Sequence, residues 1–158
     1  MYKCLVVDDD DTWRTKMSST LQIYEYYDVV GAKDANEALN KLRSESFDLV
    51  LCEIHMQDID GIELMQQIHR EFNLPVALIS ADNRREVVMN AFSKGAFPVL
   101  LKHDGMVNDF KHLWQNVIVW RKRIYDKKGK GKLDPDVGVS SHENVSILSD
   151  DEVSSDDE

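Results

Sequence analysis

Leu49-Val50-Leu51-Cys52-Glu53-Ile54-His55-Met56-Gln57-Asp58-Ile59-Asp60-Gly61 contains a complete strand-to-helix passage. Its first four residues form an unbroken apolar run, the pattern of a strand buried on both faces in a parallel sheet. That run ends on a carboxylate, Glu53. An acidic loop then leads to Asp60-Gly61-Ile62-Glu63, a capping pattern that opens a helix with Leu64, Met65, Ile68 and Phe72 inward. A strand, a charged side chain at its carboxyl end and a returning helix make one unit of an α/β sheet.

The neighbouring segments repeat the unit. Cys4-Leu5-Val6-Val7 runs into Asp8 and Asp9, Val76-Ala77-Leu78-Ile79 into Ser80, and Val99-Leu100-Leu101 into Lys102. Val29-Val30-Gly31-Ala32 reads as a further short strand. Between them, Trp13, Met17, Leu21 and Tyr24 mark one helix face, and Ala38, Leu39 and Leu42 another behind an Asp34–Glu37 capping box. Pro75 is expected to stop the third helix, Asp82 or Asn83 to cap the fourth, and Gly95 to end it. Phe110, Leu113, Val117 and Ile124 predict one last helix, with Trp114 and Trp120 nearby. Five alternations predict a doubly wound α/β domain built on a parallel sheet over residues 1–125. Ligands of such sheets bind at the carboxyl ends of the strands. Asp8, Asp9, Glu53, Ser80 and Lys102 are therefore expected in one pocket, suited to a divalent ion and a phosphoryl group.

Composition narrows the function classes. The chain has 158 residues, 42% of them hydrophobic, with no apolar run approaching a membrane span and no signal-peptide pattern at Met1-Tyr2-Lys3-Cys4. Cys4 and Cys52 both fall inside strands and read as small core residues of a reduced intracellular protein. Charge is unevenly spread: net −7 over 1–120, +6 over 121–132 and −9 over 133–158. An acidic domain argues against nonspecific nucleic-acid binding by the folded part. His55, His69, His103, His112 and His142 have no zinc-ligand spacing. Residues 126–158 read as a basic linker and a disordered acidic tail.

The ordered set of Asp8-Asp9, the segment from Glu53 to Gly61, Ser80-Ala81 and Lys102 resembles the receiver domain of two-component response regulators. That segment matches the family's Asp-x-x-Met-Pro-x-Met-Asp-Gly. Leu113–Val117 and Arg121–Arg123 are similar to segments of plant type-B response regulators. The resemblance implies a five-stranded parallel sheet over residues 1–125 in the order 2-1-3-4-5, and phosphorelay signalling of the cytokinin type, with response regulators or histidine phosphotransfer proteins as partners. It also implies a magnesium site on Asp8, Asp9, the acceptor position Glu53 and the backbone carbonyl of His55. Ser80 and Lys102 would contact the phosphoryl group, and Val99 would stand at the switch position.

Four positions depart from that pattern. Glu53 replaces the acceptor aspartate, so its carboxylate reaches about one C–C bond too far, where misplacement by about 1 Å already costs about a hundredfold. Val99 replaces the switch aromatic, His103 the proline after the lysine, and Gln57 the proline of the loop. The expectation is a pseudo-receiver: no phosphorylation, weak magnesium binding, and action by protein contact without direct DNA or membrane binding.

A second reading takes Asp8-Asp9-Asp10-Asp11-Thr12 as the Asp-x-Asp-x-Thr of haloacid-dehalogenase-type phosphohydrolases, using Asp8 and Asp10. It lacks the strand-borne acidic pair that family needs after Lys102. Towards the C-terminus, Arg121, Lys122, Arg123, Lys127 and Lys128 form a basic cluster of the nuclear-import kind. Ser149, Ser154 and Ser155 each precede an acidic residue by three positions, the spacing of casein kinase II-type sites. A nuclear protein, with a cytoplasmic fraction, is expected.

Overall fold

The computed structural model of the protein describes residues 1–25, 27–96 and 98–127, with only the backbone of Ile124, Tyr125 and Lys127. Its elements follow in the order β1 (Tyr2–Val7), α1 (Asp11–Gln22), β2 (Tyr27–Ala32), α2 (Ala35–Ser44), β3 (Leu49–Glu53) and α3 (Gly61–Phe72). Then come β4 (Val76–Ser80), α4 (Arg85–Ser93), β5 (Val99–Leu101), α5 (Met106–Lys111) and α6 (Trp114–Lys127). The strands pair in parallel as β2-β1-β3-β4-β5, the expected order. The chain divides into two compact units, Met1–Val117 and Ile118–Glu158, so the sheet lies wholly in the first. The sequence-based boundary fell at residue 125. Of the expected linker and tail, residues 126 and 127 instead end α6, and the rest, with Lys128, Ser149, Ser154 and Ser155, lies outside the described residues.

Strand alternation builds two cores. Leu5, Val7, Val50, Cys52 and Leu78 face one side with Ala38, Leu42, Leu64, Met65 and Ile68. Cys4, Val6, Leu49, Leu51, Ala77 and Ile79 face the other with Met17, Leu21, Phe110 and Val117. Every residue of β3 and β4 is buried, which accounts for their lack of polar alternation. Burial raises both thiols well above the ordinary cysteine range, so they are inert packing groups at neutral pH.

Several helix ends differ from expectation. Tyr24 lies beyond the end of α1. The third helix is closed by Asn73 in the left-handed region (φ 58°), two residues before Pro75. Arg84, with no side-chain cap, precedes α4; Asp82 instead accepts the Arg84 N–H at 3.1 Å. Gly95, at φ 109°, does follow α4 in a conformation open to glycine. The Asp34–Glu37 box forms with a shift, because Glu37 accepts from Lys33 N–H at 2.8 Å rather than from the cap residue.

The single last helix is in fact two. Between α5 and α6 the Tyr27 hydroxyl enters the backbone, accepting the Trp114 N–H at 2.8 Å and donating to the Phe110 carbonyl at 2.9 Å. Those two groups would otherwise pair with each other in a continuous helix. A side chain inserted into the ladder is a sufficient cause for the break.

Candidate functional site

Asp8, Glu53 and Ser80 stand at or just past the carboxyl ends of β1, β3 and β4, and Lys102 just past β5. Three backbone hydrogen bonds keep these ends level: Asp8 N–H to Ala32 O at 3.1 Å, Ile54 N–H to Ile79 O at 3.0 Å and Lys102 N–H to Ser80 O at 2.9 Å. The site sits where the strand order reverses about β1 and β3, the position at which open α/β sheets bind ligands.

A buried ion-pair triad occupies its centre. Lys102 Nζ lies 2.5 Å from Glu53 Oε1 and 2.8 Å from Asp8 Oδ2, and all three side chains are at most 6% exposed. Burial works to lower the lysine's pKa, but the two carboxylates outweigh it and hold the ammonium above its ordinary value. For Asp8, burial wins over the contact with Lys102 and raises the carboxyl above its usual range. The remaining oxygens are also engaged. Asp8 Oδ1 accepts the Asp10 N–H at 2.9 Å, and Glu53 Oε2 accepts the His55 N–H at 2.8 Å. Asp9 is turned away, accepting the Gln57 N–H at 2.9 Å. Trp13 closes the side of the pocket, its ring 5.1 Å from Lys102 Nζ and 4.9 Å from Lys16 Nζ.

The sequence placed Asp8, Glu53, Ser80 and Lys102 together, and the structure does too. It separates Asp9 from them in contact, and among the described residues no three His, Cys, Asp or Glu side chains converge as a metal site. As arranged, the carboxylates fit the Lys102 ammonium rather than a divalent ion. Ser80 is buried, with its Oγ accepting the Asp82 N–H at 3.1 Å. Val99 is 2% exposed in β5 and belongs to the core. Asp10 spends its carboxylate as the α1 cap, accepting from Trp13 N–H at 3.1 Å, which leaves the phosphohydrolase reading without its second aspartate.

Two side-chain and backbone roles were not legible in the sequence. The His55 ring, expected to matter through its carbonyl alone, meets Asp82 at 2.8 Å. Gly61 is the other. Its N–H donates to Ile54 O at 2.7 Å, and a Cβ there would lie 2.0 Å from the Glu53 carbonyl oxygen. The start of α3 is thus pressed against the residue that presents the carboxylate. Gly61→Ala must push backbone from backbone. It should cost about 3 kcal/mol or more, beyond the usual range for point changes, read as a lower urea midpoint at unchanged slope.

A parallel 2-1-3-4-5 sheet with an acidic strand end, a hydroxyl and a lysine at one edge is the receiver type of α/β domain. The model of the response regulator receiver domain matches residues 4–108. The chain belongs to that family. It is 37% identical over 128 residues to two-component response regulator ORR21 of Oryza sativa subsp. indica, covering 80% of this chain and 18% of that protein. With two-component response regulator ARR11 of Arabidopsis thaliana it shares 35% over 126 residues, 78% of this chain and 23% of the relative. The chain therefore spans about a fifth of the length of these curated relatives. Among solved structures, the beryllofluoride-activated NtrC4 receiver domain dimer gives a TM-score of 0.68 at 24% identity, covering 76% of this chain and 99% of that one. The Francisella response regulator 1452 receiver domain gives 0.64 at 25% identity, covering 78% and 99%.

Proposed function

We propose that this chain is a pseudo-receiver, a receiver domain that takes no phosphoryl group and acts in phosphorelay signalling and transcription regulation through protein contact. The observation that carries this is the state of Glu53. Both of its oxygens are held, one by Lys102 and one by the His55 N–H, and its carboxylate stands about one C–C bond farther from the backbone than an aspartate's would. The lysine that would receive a phosphoryl oxygen already has its anion. Val99 offers no ring to follow a movement of Ser80, so the readout is lost with the input. Phosphate-affinity electrophoresis with acetyl phosphate or a phosphorelay donor should show a single band. A second band mapping to Glu53 overturns the reading.

The partners proposed are a phosphorylatable response regulator or a histidine phosphotransfer protein; the relatives named above are themselves two-component response regulators. The contact surface runs over α4, β5 and α5, from Arg84 toward Trp114. Pull-down with both partner types is the direct check, and capture of neither favours a relic without function. Direct DNA binding is not proposed for this chain. Among the described residues no helix is long and apolar enough to cross a membrane.

A divalent ion could enter only by taking Asp8 from Lys102 and Asp9 from the Gln57 N–H, so magnesium or manganese binding should be weak. Trp13, beside Lys102, reports it: titration should shift its fluorescence only at millimolar ion, and Asp9→Ala should abolish the shift. A titration that survives Asp9→Ala locates the ion elsewhere.

Nuclear localisation is proposed from the basic cluster, of which Arg121 and Lys122 are exposed on α6. Phosphates at Ser149, Ser154 and Ser155 would each add about −1.5 to −2 charge and screen that cluster electrostatically. Making the three serines acidic should weaken nuclear accumulation of a fluorescent fusion. Alanine at Arg121, Lys122, Arg123, Lys127 and Lys128 should abolish it, and an unchanged distribution rules out the import role.

A further inference from the structure

A line of polar contacts leaves the pocket and reaches the start of α4. It begins at Glu53, whose Oε2 accepts the His55 N–H at 2.8 Å. The His55 ring Nε2 then meets Asp82 Oδ2 at 2.8 Å, across the gap between the loop after β3 and the loop after β4. Asp82 is clasped by Arg84, from Nε to Oδ1 at 2.9 Å and from Nη2 to Oδ2 at 2.7 Å, and it accepts the Arg84 N–H at 3.1 Å. Its own N–H donates to Ser80 Oγ at 3.1 Å. Arg84 is the N-cap of α4, and its carbonyl accepts the N–H groups of Val87 and Val88, both at 3.1 Å.

The site is placed where it can matter. Ala91 is the one fully buried residue of α4, with Val87, Val88 and Phe92 partly buried against the core, and Arg84 gives the first-turn amides no side-chain cap, so the Asp82 clasp is the polar anchor of that turn. Arg84, and after it the His55 ring, hold the Asp82 carboxylate far below the usual carboxylate range, so it stays an acceptor across the physiological range. We propose that His55, through Asp82, is a latch that ties the loop after β4 to the loop after β3 and so sets the position of α4 without any phosphoryl group. The role this gives α4, a constant face for a partner, rests on the pseudo-receiver reading; the latch itself does not.

Amide hydrogen exchange on the full chain, without donor or partner, tests the latch independently of phosphorylation. His55→Ala should speed exchange of the Val87 and Val88 amides about tenfold, as expected when one charge-assisted hydrogen bond leaves a local opening equilibrium. His55→Gln, which returns a donor at similar reach, should restore protection. On an Asp82→Ala background, which removes the acceptor, the His55→Ala change should add nothing, since the two residues act as one contact. Unchanged exchange in His55→Ala overturns the latch. Equal loss in His55→Ala and His55→Gln, or full additivity with Asp82→Ala, overturns it as well.

Discussion

Glu53→Asp should give a second, retarded band with acetyl phosphate where the unmodified chain gives one. Shortening the side chain by one methylene draws the carboxylate back toward β3 and out of its 2.5 Å contact with Lys102. It leaves the rest of the pocket in place: Asp8, the lysine, and Ser80 at the adjacent strand end. Alignment of attacking and reacting atoms within about 0.5–1 Å is worth about two orders of magnitude in rate, so the expected change is from no label to a readily detected one. Label on the variant alone places the lesion at residue 53. Label on neither protein means that Asp9, turned toward Gln57, has removed the ion-binding half of the site as well. The activated variant should still transmit nothing by way of Val99, which has no ring to follow Ser80.

The receiver class was legible because it rests on burial, and burial is written in apolar runs. Strands enclosed on both faces carry no polar alternation, so their ends fall where the first charged residue appears. This is why Asp8, Glu53, Ser80 and Lys102 could be placed together before any geometry was known. Which oxygen meets which donor was not legible. Asp9 follows Asp8 directly yet pairs with a loop amide 48 residues later, and His55 finds Asp82 across 27 residues. Such contacts depend on how two loops lean, which leaves no periodic trace. The break between α5 and α6 was hidden for a related reason. Hydrophobic spacing continues through Leu113 and Val117, while the Tyr27 hydroxyl that interrupts the backbone comes from β2. The end of α3 fell to Asn73 because asparagine tolerates the left-handed region better than most residues, and a proline nearby drew attention from it.

Lys102→Met should be the most destabilising single change of a charged residue in this domain, by about 3–5 kcal/mol, because it leaves two carboxylates buried without their counter-ion. Methionine keeps the chain length and apolar stem, so the loss reports the charge rather than a cavity. The pH course follows from the shifts. Lys102 titrates above its ordinary value in the folded protein, so the triad's contribution is fully present below about 10.4, the unfolded pKa. It is lost as pH rises through the higher folded value. Asp8 titrates above the usual carboxylate range, so the folded state takes up its proton before the unfolded state does. Without the ammonium, the Asp8 carboxyl should rise further, and its protonation should neutralise part of the uncompensated charge. The stability deficit of Lys102→Met should therefore be smaller at pH 5 than at pH 8. Adding Glu53→Gln should recover part of it at pH 8, since one of the two stranded charges is gone, and millimolar magnesium should recover part by supplying a substitute cation. A deficit below about 1 kcal/mol, flat with pH, would place the triad among solvent-screened surface pairs and remove the electrostatic basis for holding Glu53 in place.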